Sequence, residues 1–389
     1  MNIIYFLNSY PSIHKIVAHD EIIEMNRRKH FVTVVSIWDG IKNIPDNLPF
    51  TVIYLTNKIQ IFSITHLLLK HPVKIISHLR ILKKYLGFQD AAKYISSYKI
   101  FISINPDRIH AHFANNAALK GYLLAKYLNV PFSCTGHGSE LLLYPEPYLK
   151  ELILNSHPFI TISQYNIKFL EERYNISPNV IQVNYAGIYL ENFRPHPNQK
   201  PNIFTILSVT GLIEIKGVKY LIDACRILKK KGLKFICKII GGGELYTKLY
   251  KKIHDLKLEN NVFLLGEIEN HLLVNYYNGC NVFILPSLSE GIPVAVMEAM
   301  AMELPVITSN ITGLPEIIED GINGYLIPPK DPQALAEKII DLYYNPEKRT
   351  AFSKAARQTI IDKFNLKTNV ANFESLLTNS GPEDPESSF

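Results

Sequence analysis

SLSEGIPVAVMEAMAMELPVITSNITGLPE, residues 287–316, carries the strongest pattern in the chain. Just before it, Asn281 to Leu285 (NVFIL) is a short apolar run bounded by turn residues, which predicts a buried strand. Pro286 and Ser287 end that strand. Pro293 suits the first position of a helix, where its missing N–H costs nothing. From Val294 to Met302 every residue but Glu298 is apolar, and a carboxylate in such a helix is costly unless something pairs with it. Glu290 lies eight residues earlier, in the loop. Between the two acids the helix start offers N–H groups and a partial positive charge, a seat for phosphate. Glu298 falls roughly 7.5 Å along the axis from Pro293, about one ribose beyond a phosphate held there. One acid therefore suits sugar hydroxyls at the phosphate end, and the other suits a nucleoside ribose. A plainer reading stays open beside it. A Glu before a helix is favoured by the dipole alone, and Glu298 could pair with a buried Lys or Arg.

The 389 residues, 47% hydrophobic and 20% charged, are ordinary globular material with room for two or more domains. No apolar run reaches the length of a spanning helix. Met1 to Leu7 is too short for a signal peptide and lacks a charged leader, so a cytoplasmic protein is expected. Cys134, Cys225, Cys237 and Cys280 show no paired spacing, which predicts buried thiols in a reducing compartment and no zinc site. The charge is uneven. Residues 1–195 hold 20 Lys and Arg against 13 Asp and Glu, while 196–389 hold 21 against 22. An anionic partner on the N-terminal half is the consequence.

Working outward, the N-terminal half opens with a strand at Asn2–Leu7 and a loop at Asn8-Ser9-Tyr10-Pro11. A helix to about Lys29 and a strand at Phe31–Ile37 follow, a β-loop-α-β start that suits a parallel sheet. Asp107–Phe113, Pro131–Thr135, Pro158–Ser163 and Asn179–Asn184 read as later strands. Leu67 to Phe88 is cationic and amphipathic. It reads as a surface helix pair or as a dock for an anionic membrane, with Pro72 interrupting it. The basic residues belong to no nucleic-acid reader module, so no nucleic acid is expected. His137 sits in Thr135-Gly136-His137-Gly138, directly after a strand, where flanking glycines let a ligand come close. His110 and His112 share one face of their strand. No third ligand lies near them in sequence, so they read as structural and no metal site is expected.

The polar, Pro-rich stretch 187–202 reads as a linker. Strands then alternate with helices. Phe204–Val209, Leu233–Ile240 and Val262–Leu265 are strands; Gly217–Lys230, Glu244–Asp255 and His271–Asn278 are helices. This predicts a second doubly wound domain. Helices from Asp331 run to about Leu377, and residues 381–389 read as a disordered tail. Gly241 and Gly243 fit two glycines of a dinucleotide fingerprint, but Tyr246 fills the third position, where bulk blocks helix–strand packing. Lys216 opens a helix after a strand, placed to pair with a diphosphate or to stand as an ordinary surface lysine.

The Glu290…Glu298 pair, with Gly291-Ile292-Pro293 and Glu298-Ala299-Met300-Ala301, resembles the donor signature of the family 4 retaining glycosyltransferases. Gly313-Leu314-Pro315-Glu316 and Asp320-Gly321-Ile322-Asn323-Gly324 match the next two segments of that family. Ile109-His110-Ala111-His112-Phe113, His137 and Glu140 resemble its bacterial exopolysaccharide branch, the colanic-acid type. The resemblance runs from about Asn2 to Leu377. It departs at Gly211, where the family carries an arginine that works with the lysine matching Lys216, and at Tyr189, where an aspartate is usual.

The resemblance implies an α/β protein of two Rossmann-like doubly wound domains facing across a cleft, the GT-B arrangement. The expected domains are 1–195, with a return helix at 370–380, and 196–369. It implies a sugar moved from a nucleotide-diphosphate sugar to a glycan or lipid-linked acceptor in surface polysaccharide synthesis, with no cofactor and no metal. His137, Glu290 and Lys216 would carry the catalysis. Glu298, Gly291, Ile292, Pro293, Val294, Gly241 and Gly243 would hold the donor. The missing arginine also admits a non-catalytic sugar-nucleotide-binding subunit. Nucleotide sugar, acceptor and an anionic membrane surface met through 67–88 are the expected partners, at the inner face of the membrane.

Overall fold

The computed structural model describes residues 1–11, 16–39, 48–55, 59–196 and 201–379. The tail expected at 381–389 lies outside them. The chain divides into two compact units: Met1–Ile162 with Asn166–Asn184 and the residues from Val370 on, and Ser163–Tyr165 with Tyr185–Asn369.

The first unit holds a seven-stranded sheet. Its strands are β1 (Asn2–Tyr10), β2 (Phe31–Asp39), β3 (Thr51–Tyr54), β4 (Arg108–His112), β5 (Phe132–Gly136), β6 (Phe159–Thr161) and β7 (Ile181–Val183). They lie in the order β3-β2-β1-β4-β5-β6-β7, and every pairing is parallel. The order reverses between β1 and β4, where such sheets open a crevice at their strand C-termini. β1 runs past the expected end at Leu7, through the polar Asn8 and Ser9. Register with β2 holds it, Ser9 against Trp38 and Tyr10 against Asp39. Sequence reading missed β3, a four-residue edge strand that is nowhere fully buried and so lacks an alternating pattern.

Helices Ile61–Lys70 and Pro72–Ser96 replace the single stretch 67–88. Pro72 sits in the first turn of the second helix, where its missing N–H is harmless. The backbone leaves helical geometry once more at Gly87, with φ 75°. Ile75 and Leu82 turn into the core, against Tyr98, Phe101 and Tyr127. The residues from Val370 on belong here through side chains. Phe373 meets the His110 ring edge-on at 4.9 Å, Arg108 donates to the Leu377 carbonyl at 2.7 Å, and Arg28 and His30 both bond Glu374.

The second unit is a six-stranded parallel sheet: β8 (Phe204–Val209), β9 (Phe235–Ile240), β10 (Val262–Leu264), β11 (Val282–Leu285), β12 (Val306–Ser309) and β13 (Gly324–Ile327). The order is β10-β9-β8-β11-β12-β13, with its reversal between β8 and β11. Neighbouring strand residues feed opposite faces. Ile206, Ile284 and Ile307 pack with Leu221, Cys225 and Leu228 of the helix Val218–Lys230. Leu207, Phe283 and Val306 pack with Val296 and Met300 of the helix Val294–Ala301. Both faces being covered, the strands read as unbroken apolar runs. β12 and β13 went unread: one is masked by the helical pattern before it, the other opens on a glycine. Tyr185, Ile188 and Phe193 join this core, so the second unit begins at Tyr185 and not near Pro195. Within it Glu316 accepts from the backbone N–H of Gln164 and Tyr165, both at 2.8 Å, and from the Tyr185 hydroxyl at 2.9 Å. The four cysteines are buried free thiols.

Candidate active site

In the second unit three loops meet at the C-terminal ends of β8, β9 and β11. The loop after β8 folds down on Gly217, whose φ is +64°. A Cβ there would lie 2.0 Å from the Pro286 carbonyl oxygen, so only glycine lets this turn sit on the end of β11. The Leu288 N–H donates to the Ile215 carbonyl at 2.7 Å and fastens the two loops. Lys216 is thereby carried to Glu290: its Nζ lies 2.7 Å from Glu290 Oε1. Ser287 Oγ donates to the same oxygen at 2.7 Å. The Glu290 side chain is 8% exposed and that of Lys216 26%. Thr312 grips the Glu290 backbone from the far side through its hydroxyl.

Pro293 is the residue before the helix and not its first member; Val294 opens the helix. The first N–H groups of any helix have no acceptor within it, so the start at Val294 presents donors beside the Lys216–Glu290 pair. Ile292 is buried and holds this turn in the core. The Gly291 carbonyl lies so close to Gly313 that a Cβ there would approach within 2.8 Å. Glu298 sits one turn on and is nearly buried. The Tyr277 hydroxyl donates to its Oε2 at 2.7 Å. Burial, and then the Glu298 carboxylate, push the Tyr277 phenol well above its ordinary range.

Gly241 and Gly243 have φ of 138° and 147°. A Cβ at either would strike the loop after β8, at 1.9 Å from the Thr210 carbonyl oxygen and 2.6 Å from that of Leu212. These glycines set the glycine loop against residues 210–212, where the Leu212 N–H donates to Gly242 at 2.7 Å. Gly211 lies in that contact and is exposed.

In the first unit His137 follows β5. Its backbone N–H donates to Glu140 Oε1 at 2.5 Å, and Asn166 Nδ2 donates to its carbonyl at 3.1 Å. Burial pushes the Glu140 carboxyl up, against the pull of those backbone N–H groups. The His137 ring stacks on Phe113 at 4.2 Å and meets His112, Nε2 to Nδ1, at 3.0 Å. Phe113 has φ +68°, a costly conformation of the kind that collects at functional positions.

The expectation that His110 and His112 lack a third ligand needs correction. Glu21, from the helix Ile16–Arg27, brings a carboxylate to them, and the three groups lie within 4.8 Å of one another. Sequence spacing could not show this, because Glu21 is distant in the chain. It was also blind to Ser287, Thr312 and Tyr277 as partners of the two acids. Such hydroxyls carry no pattern of their own.

The family profile of the glycosyl transferases group 1 matches residues 191–359, and that of glycosyltransferase family 4 matches residues 16–192. A glycosyltransferase of Methanocaldococcus jannaschii is 32% identical over 296 residues, covering 73% of this chain and 79% of the relative. The chain belongs to the family 4 glycosyltransferases. The amylovoran biosynthesis glycosyltransferase AmsK of Erwinia amylovora is 42% identical over 166 residues, 41% of each chain. Crystalline HepE of Anabaena, in complex with UDP and glucose, superposes with a TM-score of 0.77 at 19% identity, over 97% of this chain and 99% of that one. The likeness shows the fold, two Rossmann-like domains of the GT-B class. As a glycosyltransferase the chain is an enzyme of sugar transfer. No helix among its described residues is long and apolar enough to cross a membrane.

Proposed function

We infer that this glycosyltransferase takes a sugar from a nucleoside-diphosphate sugar and passes it, with retention, to a glycan or lipid-linked acceptor in surface polysaccharide synthesis. One observation carries the reading: Lys216 and Glu290 meet at 2.7 Å where the helix Val294–Ala301 begins. Each neutralises the other until a ligand arrives that can use both. A diphosphate draws the lysine and the helix N–H groups; sugar hydroxyls donate to the freed carboxylate. Stabilising charge on the leaving diphosphate is then the largest contribution to rate. That diphosphate can take the acceptor's proton while the sugar becomes oxocarbenium-like. Glu298 holds the ribose and His137 steadies the sugar.

No cofactor enters, and no divalent metal is called for. The sequence holds no Asp-x-Asp pair, and Lys216 with the helix start supplies positive charge. HepE, crystallised with UDP and glucose, supports a nucleotide-sugar donor. AmsK, named for amylovoran biosynthesis, supports a polysaccharide acceptor. A panel of UDP-, GDP- and ADP-sugars, incubated with pure protein and followed for released nucleotide, tests the reading. One donor should release slowly and stabilise the fold against heat. Silence across the panel would leave the non-catalytic binder standing.

An anionic membrane surface is part of the reading. Exposed Lys70, Lys74, Arg80, Lys83 and Lys84 share the two helices with exposed Leu69, Val73, Ile76 and Phe88. Basic groups beside bare apolar ones favour an anionic interface. Co-sedimentation with phosphatidylglycerol vesicles but not with phosphatidylcholine vesicles is expected.

A further inference from the structure

Below His137 lies a buried chain of polar groups that the donor reading does not use. Glu21 Oε1 sits 3.0 Å from His112 Nε2, and His112 Nδ1 sits 3.0 Å from His137 Nε2. His112 is wholly buried and Glu21 nearly so. The Tyr5 hydroxyl donates to the same Glu21 oxygen at 3.4 Å, and its ring stacks on His112 with 13° between the planes. The sequence places the chain with care. Glu21 comes from the helix after β1, His112 is the last residue of β4, and His137 follows β5. β1, β4 and β5 are neighbours in the sheet.

Hydrogen-bond chemistry fixes what this chain does. A carboxylate only accepts, so His112 must carry its proton on Nε2. The neutral ring with its proton on Nε2 then has its lone pair on Nδ1. His137 must answer with a proton on Nε2, which leaves the lone pair of His137 on Nδ1. The geometry points to Glu21 and His112 as positioning residues that hold His137 in its Nε2–H tautomer, so that its Nδ1 accepts a hydrogen bond. An acceptor nitrogen recognises a hydroxyl and repels a phosphate oxygen, which cannot donate. His137 is therefore tuned for a sugar hydroxyl. The hydroxyl's identity as one on the donor sugar rests on the proposed function above; the coupling of the two rings does not. His110 is the internal contrast. It lies on the same strand, equally buried, but gives Nδ1 to Ser133 at 2.9 Å and Nε2 to Thr135 at 3.2 Å.

The test uses full-length protein with 15N-labelled histidine at pH 8, His137 signals being assigned by their loss in His137→Asn. In the native protein Nε2 of His137 should be pyrrole-like and Nδ1 pyridine-like. His112→Leu removes the acceptor and should mix or invert that pattern. Donor turnover should fall roughly tenfold, the low end for losing an outer partner of a functional histidine. His112→Asn puts an amide oxygen near the lost Nδ1 and should restore the pattern and most of the rate. His110→Leu should leave the His137 pattern alone. An unchanged pattern in His112→Leu overturns the proposal, as does an equal change in His110→Leu. So does a stoichiometric metal in purified protein, which would make these groups ligands instead. A shifted pattern in a protein that releases nucleotide from no donor keeps the coupling and sinks the donor reading.

Discussion

The two units share a scaffold and differ in whether histidine is buried in it. Both are parallel sheets with an order reversal near the middle. The first buries imidazole: His78, His110 and His112 are all in its interior. It also buries Glu21, Glu24 and Glu140; the second leaves His196, His254 and His271 exposed and encloses the acids Glu290 and Glu298 with no histidine among its described residues beside them. The scaffold thus says where a site lies, at the strand C-termini, while the polar groups it encloses say what the site can hold. An acid beside a lysine and a helix start suits a diphosphate sugar. A histidine relay suits a hydroxyl.

The largest effect that could break this contrast is at the Lys216–Glu290 pair. Lys216→Ala removes the flexible cation and leaves a buried carboxylate behind. Turnover should drop roughly 10²–10³-fold, the scale for losing a preorganised group at developing charge. The fold should survive, because Lys216 is partly exposed and Ser287 still donates to the Glu290 carboxylate. Nucleotide release at saturating donor measures it. A variant that still turns over within a few-fold of the parent would move the donor chemistry elsewhere.

Next comes Glu298. Glu298→Ala should weaken nucleotide binding by roughly 1.5–3 kcal/mol, as for a hydrogen bond to a charged group. Tyr277→Phe keeps the acid and removes the Tyr277 hydroxyl from it, and should cost about 1 kcal/mol or less of the same affinity. Calorimetric titration of the nucleotide separates them. Unchanged affinity in both would make the Tyr277–Glu298 contact a structural one.

Acid sharpens the contrast further. His78 is pulled down to about 4, by burial first and then by Lys126 and Lys74. Burial also pulls His110 well below its ordinary range, helped by His112 and Arg108. Between about 6.5 and 4 the unfolded chain protonates these two histidines and the folded first unit does not, so they cost stability as pH falls, while Asp20, raised by burial to about 6, and Glu140, raised by burial, take up protons in the folded unit and oppose them. The second unit buries no histidine among its described residues and lacks this slope. Hydrogen exchange corrected for its intrinsic pH dependence should show the helix Pro72–Ser96, which carries His78, loosening at pH 5 while the strands of the second unit hold. His78→Phe should recover on the order of 1–2 kcal/mol at pH 5. Uniform loosening of both units would remove the distinction.

Much of this could be read before any coordinates. Apolar runs such as Asn281–Leu285 and Phe204–Val209 announce parallel strands because both faces are covered. The Glu290…Glu298 spacing sits on one turn and one helix, so local sequence holds it. What stayed hidden is non-local. Glu21 reaches His112 across 91 residues of chain, and Lys216 reaches Glu290 across 74. Periodicity has no range over such separations. Pro72 was read as a break in one element when it begins another, since a proline in the first turn and a proline that ends a helix look alike in sequence. Gly241 and Gly243 were read as two glycines of a fingerprint and, by resemblance, as holding the donor. What requires glycine at both is the close approach of the carbonyls of Thr210 and Leu212, a contact that no fingerprint spacing announces.

The smallest effect is expected at Gly211, where the family resemblance implies an arginine. The site can take one. Gly211 is not among the left-handed glycines, and a Cβ would meet only the Gly242 carbonyl oxygen at 3.9 Å, an ordinary contact. The position is exposed, so the added guanidinium would pair with a diphosphate through solvent-screened attraction worth about 0.2–1 kcal/mol. Gly211→Arg should therefore raise turnover at low donor concentration by no more than about fivefold, and the gain should fade in 1 M salt, where the screening length is about 3 Å. An unchanged or lower rate would mean that another cation already fills the arginine's place. Lys216 would then not be working alone. A gain that outlasts salt would mean the new side chain leaves solvent and pairs in a sheltered pocket, and the second unit's site would be deeper than the present exposure of this loop implies.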